Sequence, residues 1–271
     1  MFNNNILFNF DIINTLILDN INLMEETAKY PKRIISLVPS ITELLFDLGL
    51  DEQIKGITKY CIHPKNKVQN KTIIGGTENI DFNIIDTVNP NLIFANKEEN
   101  SKEEVQKLSE KYKCNVSDIK SFNDAIELIF DIGQITGTQE NANSLIKQIV
   151  EKFKTLNICL FPKTVAYIIW KDPFMTINTD TFINDMLIKA GFENIFKNKL
   201  KRYPIIDIEE IKSCSPDIIF LSSEPYHFKE TNKKEFEKML PNTQIKLVDG
   251  EMFSWYGSHI LKAADYFKQL C

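Results

Sequence analysis

The chain has 271 residues, 43% of them hydrophobic and 25% charged, with a net charge of −5. That length is more than one ordinary compact domain needs and suits two lobes of roughly 100–150 residues each, while the composition argues against a disordered, collagenous, coiled-coil or multi-span membrane chain. The acidic balance and the lack of a dense Lys/Arg block leave no electrostatic footprint for a phosphate backbone, so nucleic acid is not an expected partner.

Residues 1–24, MFNNNILFNFDIINTLILDNINLM, contain no Lys or Arg, and Asp11, Asn14 and Asp19 interrupt the apolar run before an export-signal core is reached. Ile12, Ile13, Leu16, Ile17 and Leu18 instead suit a short strand pair or an extra helix on the body. Residues 1–31 are therefore read as an N-terminal extension. The five cysteines, Cys61, Cys114, Cys159, Cys214 and Cys271, form no CxxC pair and no zinc-type spacing with histidine. They are expected as unpaired thiols packing as small hydrophobes, which fits a reducing compartment. No stretch approaches the ~20 apolar residues of a transmembrane helix.

The first unit is the β-branched run Arg33–Val38, a buried strand, followed by Pro39, Ser40 and a helix that Gly49 is placed to stop. Ser40 and Glu43 have the S-x-x-E spacing of a capping box. The helix should start at the carboxyl edge of its strand, where open α/β sheets bind ligands. Strands are predicted at Ile54–Ile57, Thr72–Ile74, Leu92–Ala95 and Asn115–Ser117, and helices at Phe82–Val88 and Lys102–Tyr112, the latter capped by Ser101 with Glu104 at box spacing. Phe46 and Phe94 fall at core spacing. The alternation predicts a mainly parallel sheet covered by helices.

The chain then repeats itself. Asp81–Glu98 aligns without gaps on Asp207–Glu224, with six identities, including Pro90 with Pro216, Phe94 with Phe220, and Glu98 with Glu224. The shared pattern is a helix, a proline that cannot continue it, a strand, and a loop leaving the strand. Thr164–Ile169 mirrors Arg33–Val38, and Ile245–Val248 mirrors Asn115–Ser117. Between the copies, Ala142, Leu145, Ile146, Ile149, Val150 and Phe153 form one apolar stripe, predicting a helix over Gln139–Lys154 about 24 Å long. The expected organisation is an N-terminal α/β lobe at 32–136, a backbone helix at 137–157 and a C-terminal α/β lobe at 158–271. The fold class is α/β, with two Rossmann-like lobes and a ligand cleft between them.

The stretches KRIISLVPSITELLFDLGL, DTVNPNLIFAN and FMTINTDTFINDMLIKAGFENIF resemble, in order, the signatures of the helical-backbone substrate-binding proteins of ABC importers, which carry vitamin B12, haem or ferric siderophores. The resemblance begins near residue 32. It implies a non-catalytic protein without an intrinsic cofactor, expected as a monomer, that holds a cobalt- or iron-containing chelate between its lobes and presents it to importer membrane subunits. By position it assigns ligand contacts to Pro39 and Ser40 in the first lobe's turn, to Tyr60, to Trp170 and Phe174 after the second lobe's first strand, and to Phe253, Trp255 and Tyr256 in the last loop. Aromatic walls with a few amide donors also suit a flat ligand on physical grounds.

His63 and His259 are candidate axial ligands to such a metal, but nothing in their spacing builds a site for a bare ion, and no metal ligand is assigned. At the two positions where the family carries docking acids, this chain has Asn83 and Ser254, with Asp81 and Glu251 as neighbouring substitutes. The resemblance implies a periplasmic or cell-envelope location; the lack of an export-signal pattern in residues 1–24 and the five unpaired thiols favour the cytoplasm. Arg202 is the only arginine of the second lobe and Arg33 precedes the first strand, so an Arg clamp for an anionic chelate is not expected. Lys59, Lys97 and Lys171 remain for the cleft rim. A corrinoid is favoured over an iron chelate.

Two alternatives compete. An enzyme would need a GxGxxG, P-loop or GxSxG signature, and none is present; Gly75–Gly76–Thr77 alone is weak, and the pairs Glu98/Glu99 and Glu103/Glu104 read as a solvated charged run. The atypical docking positions motivate a partner-binding or regulatory module that has kept the body of the fold.

Overall fold

The computed structural model describes residues 30–156 and 162–270. The strand pair or helix expected before residue 30 lies outside the described residues, as do Cys159 and Cys271. In the first lobe β1 (Ile34–Ser36), β2 (Ile54–Ile57), β3 (Thr72–Ile73), β4 (Leu92–Asn96) and β5 (Cys114–Ser117) alternate with α1 (Pro39–Asp47), α2 (Lys65–Val68), α3 (Phe82–Val88) and α4 (Lys102–Ser109). The sheet order is β3-β2-β1-β4-β5, parallel throughout, with Ile34, Ile35 and Ser36 registered on Leu92, Ile93 and Phe94 at its centre. Residues of β1 and β4 are buried on both faces because helices cover both sides.

The second lobe repeats this plan. β6 (Lys163–Ile168), α7 (Phe182–Lys189), β7 (Phe192–Asn194), α8 (Ile208–Cys214), β8 (Ile218–Ser222), α9 (Glu230–Met239) and β9 (Gln244–Val248) build a parallel sheet of order β7-β6-β8-β9. The internal repeat is visible in detail. Asp81 caps α3 by accepting from the Asn83 and Ile84 amides, and Asp207 caps α8 by accepting from the Glu210 amide. Asn89 and Ser215 then close their helices in the left-handed conformation at φ 48° and 47°, each directly before the proline that cannot continue the helix.

Joining the lobes are α5 (Phe122–Thr136) and α6 (Gln139–Lys154). The stripe on α6 predicts its core face: Ala142, Ile146, Ile149, Val150 and Phe153 are buried. A Cβ on Gly133 of α5 would lie 2.6 Å from the Ala142 Cβ, so the two helices touch at a point only glycine permits. After β9 come α10 (Glu251–Ser254), a 3₁₀ turn (Gly257–His259) and α11 (Ile260–Phe267). This segment crosses back: the 3₁₀ turn packs on α1 of the first lobe, and α11 packs on α6.

Two local expectations fail for identifiable reasons. The Ser40/Glu43 capping box does not form, because Pro39 occupies the first helical position and pushes Val38 to an extended φ of −125°, which places Ser40 inside the first turn. Glu43 instead turns to the second lobe. At α4, Ser101 caps the Glu104 amide as expected, but the Glu104 carboxylate accepts from the Ile80 amide and does not reach back. Gly49 does stop α1 in the left-handed region, at φ 86°.

Candidate functional site

The carboxyl ends of both sheets face one cavity of about 640 Å³. It lies where the topology directs it, at the strand edges flanking the switch between β1 and β4 and between β6 and β8. Its walls come from the loop after β1 (Pro39, Ser40), the loop after β2 (Tyr60, Ile62), the loop after β4 (Glu98, Glu99), the segment following β6 (Trp170, Met175, Phe182), the loop after β8 (Glu224, Pro225) and the segment after β9 (Glu251, Ser254, Trp255, Tyr256). Its volume falls in the range of small-molecule clefts, about 300–1,000 Å³.

Six of the eight residues assigned from sequence line this cavity: Pro39, Ser40, Tyr60, Trp170, Trp255 and Tyr256. Tyr60 and Trp170 stand at the mouth, 51% and 40% exposed. Phe174 and Phe253 do not line it. Phe174 packs on Phe236 in the second lobe's core, and Phe253 is wholly buried among Tyr167, Phe220 and Phe267. Sequence position put both near the ligand loops, but their side chains turn inward to fill the core.

The histidines also lie elsewhere. His259 is buried, and its Nδ1 sits 2.6 Å from Glu43 Oε2, while Glu43 also takes the Lys262 ammonium at 2.6 Å. His63 Nε2 lies 3.1 Å from Glu251 Oε2, and the same oxygen is 3.7 Å from His259 Nε2. The two rings, 5.9 Å apart, therefore flank Glu251 behind the cleft wall and do not line the cavity. His227, in contrast, is exposed. Burial alone would raise the Glu43 pKa, but His259 and Lys262 outweigh it and hold the carboxyl below its usual value. Among the described residues no cluster of three metal-type side chains is placed to hold an ion.

The run containing Glu98 and Glu99 is not a solvated surface, which corrects the expectation. Asn96, the last residue of β4, accepts from the amides of Glu98 (2.8 Å) and Glu99 (3.3 Å) and folds the loop so that both side chains meet the cavity. Asn100 locks the turn by accepting from the Asn96 amide and donating to the Thr77 and Leu37 carbonyls. In the second lobe Ser222 holds the same place as Asn96: its Oγ accepts from the Glu224 amide and directs Glu224 into the same cavity.

Glu98 meets Arg202 at 2.6 Å and accepts from the Tyr203 hydroxyl. Glu99 accepts from Tyr256, and Glu224 accepts from Ser254 and from Trp255 Nε1. Loss of water around them raises all three pKa values, helped by nearby carboxylates: Asp118 and Asp180 at Glu98, Glu251 and Asp249 at Glu224, and Glu224 and Glu98 at Glu99, which is pushed up to about 7. The remaining cations are occupied at the periphery. Lys97 pairs with Asp118, Lys171 with Glu235, and Arg33 Nε donates to the Asn89 carbonyl. Lys59 lies over the Tyr60 ring. Of the four residues considered for docking, Asn83 is exposed on α3, Asp81 is spent on capping, and Ser254 and Glu251 belong to the cleft wall.

A second hollow, about 500 Å³, lies at the amino edge of the second sheet, among Ser215–Asp217 and Leu240–Thr243, away from the strand ends that bear these groups.

Two parallel α/β lobes facing each other across an aromatic-walled cleft, bridged by a long helix, define a solute-binding class of protein. The model of the Periplasmic binding protein family matches residues 34–244, and the chain belongs to that family. It is 29% identical over 203 residues to the uncharacterized ABC transporter substrate-binding lipoprotein YvrC of Bacillus subtilis, a match covering 70% of this chain and 63% of that protein. It is 24% identical over 195 residues to a vitamin B12-binding protein of Vibrio cholerae, covering 70% of each. Among solved structures, the periplasmic vitamin B12 binding protein of Vibrio cholerae superposes with a TM-score of 0.76 at 20% identity, covering 88% of this chain and 96% of that one. The periplasmic heme binding protein HutB of Vibrio cholerae gives the same TM-score and identity over 88% and 98%. The fold is therefore that of these binders.

Proposed function

We propose that the chain is the solute-binding component of an ABC importer, that its solute is a metal-containing chelate held between the lobes, and that a cobalamin-like corrinoid is preferred to an iron chelate. The observation carrying this reading is the lining of the cleft. Tyr60, Trp170, Phe182, Trp255 and Tyr256 offer aromatic surface from both lobes, and among the described lining residues none is Lys, Arg or His. A flat macrocycle gains from such walls, whereas an anionic siderophore needs a cation clamp that this cleft lacks. The relatives named for vitamin B12 support the same direction. On this reading the protein performs no catalysis; it lowers the free energy of the bound chelate and delivers it to the membrane subunits.

The test is a titration with cyanocobalamin, aquocobalamin, haemin and a ferric siderophore, followed by tryptophan fluorescence, with Trp170→Phe and Trp255→Phe as controls. Saturable quenching by a corrinoid at about micromolar affinity or tighter, weakened in a control, is the expected result. Binding of haemin or siderophore alone would retain the importer reading and overturn the corrinoid preference. Binding of none, with thermal stability unchanged by each, would sink the chelate reading and favour the partner-binding alternative.

A further inference from the structure

The acidic floor of the cleft goes beyond what the fold requires. Glu98 and Glu224 are the last identity of the internal repeat, and both lobes hold the residue by the same device, a side chain at the strand end that accepts from the loop amide. Glu98 has Arg202 as its cation. Glu99 and Glu224, half-buried and near enough to repel each other, have no cationic partner among the described residues; their partners are the neutral donors Tyr256, Ser254 and Trp255. Carboxylates withdrawn from water without a counter-charge are costly, and such an arrangement in a cavity marks a functional role.

A second observation points into the same space. Ser40 Oγ is buried on the cavity wall and makes no hydrogen bond of normal geometry, although it lies close enough to the Tyr256 phenol to influence it. A buried hydroxyl left in this state is expected to find its partner in a ligand.

Resting on the chelate-binding reading, we infer that the solute itself completes this site. Its N–H donors meet Glu99 and Glu224 while Ser40 supplies a further contact, so the cleft selects a chelate rimmed by amide or amine groups and rejects the same chelate rimmed by carboxylates. Bringing a carboxylate rim onto these two residues places like charges together in a confined cavity, which weakens binding. The elevated pKa of Glu99 eases that penalty only by taking up a proton.

The experiment compares pairs that differ only at the rim: dicyanocobinamide against dicyanocobyrinic acid, and the bis-propionamide of haemin against haemin itself, each titrated at pH 8 by tryptophan fluorescence. The amide member of whichever pair binds is expected to be at least about a hundredfold tighter than its acid, and E99Q/E224Q is expected to lose most of that ratio while unfolding at a temperature near or above wild type. Equal affinities, or a tighter acid, would overturn the inference and leave the chelate-binding reading standing. Failure of all four compounds to bind would overturn the inference, and the ferric siderophore titration then decides whether the chelate-binding reading stands. The wild-type comparison decides the matter even where the double variant does not fold.

Discussion

The Tyr256 hydroxyl donates to Glu99 Oε1 at 3.1 Å, tying the last loop of the second lobe to the loop after β4 in the first. Glu99 titrates near 7 in the folded chain and at an ordinary carboxylate value when unfolded. The folded state therefore holds a proton that the unfolded state releases, and stability falls as pH rises between about 4.5 and 7. Glu99→Gln keeps an acceptor for Tyr256 and removes the ionisation. Thermal unfolding should show it more stable than wild type by about 1–2 kcal/mol at pH 8, after allowance for the part of Glu99 that faces the cleft, with the gap narrowing toward pH 5.

Glu43 carries the opposite sign. Its pKa is lowered by His259 and Lys262 against the effect of burial, so its contribution is present above the ordinary carboxylate value and is lost as pH falls through its lowered one. Glu43→Gln leaves His259 without its charged partner in a buried setting and should cost about 2–3 kcal/mol at pH 7. Urea unfolding repeated down to pH 3 should show the difference from wild type shrinking; a constant difference would mean that shape, and not charge, holds this contact.

Phe253 and Trp170, both assigned to the ligand from sequence, should separate cleanly. Phe253 is fully buried, and Phe253→Ala should cost about 3–5 kcal/mol. Trp170 stands at the cleft mouth, and Trp170→Ala should cost less than about 1 kcal/mol while removing part of the fluorescence response to the chelate. Calorimetry of the two variants beside a ligand titration checks both halves.

Gly250 supports the placement of Glu224. A Cβ there would stand 2.5 Å from Ser222 Oγ and 2.6 Å from Glu224 Cγ. Gly250→Ala should displace the carboxylate from Trp255 Nε1, shift the tryptophan emission and lower stability by about 1–2 kcal/mol. An unchanged emission spectrum would show that Glu224 is held independently of this close approach.

Much of the fold was legible because its signals are local. The Asp caps, the prolines after Asn89 and Ser215, and the stripe on α6 each act within one or two turns of chain, and the repeat disclosed that the architecture was built twice. The cleft lining was legible where family position and surface exposure agree, as at Tyr60 and Trp170. It was not legible where a side chain's direction depends on distant packing. Phe253 turns inward because Tyr167, Phe220 and Phe267 leave a space its ring fills. Glu98 and Glu99 read as a charged surface run because the Asn96 turn that folds them inward, and the second-lobe Tyr203 and Tyr256 that receive them, leave no mark on neighbouring sequence. The pairing of Glu98 with Glu224 in the repeat was the one signal that could have found the acidic floor.

The segment after β9 crosses from the second sheet to rest on α1, and Gly257 is central to that return. It sits at φ 87° where a side chain would stand 3.2 Å from the Leu44 Cβ. The halves of the molecule are thus stitched twice, once by α6 and once by this strap, and a body fastened at two seams has little freedom to gape. Capture should then proceed as simple docking into a ready mouth, fast and without a closing step. Discharge is then expected to be the slow event, limited by how far the two seams let the jaws part.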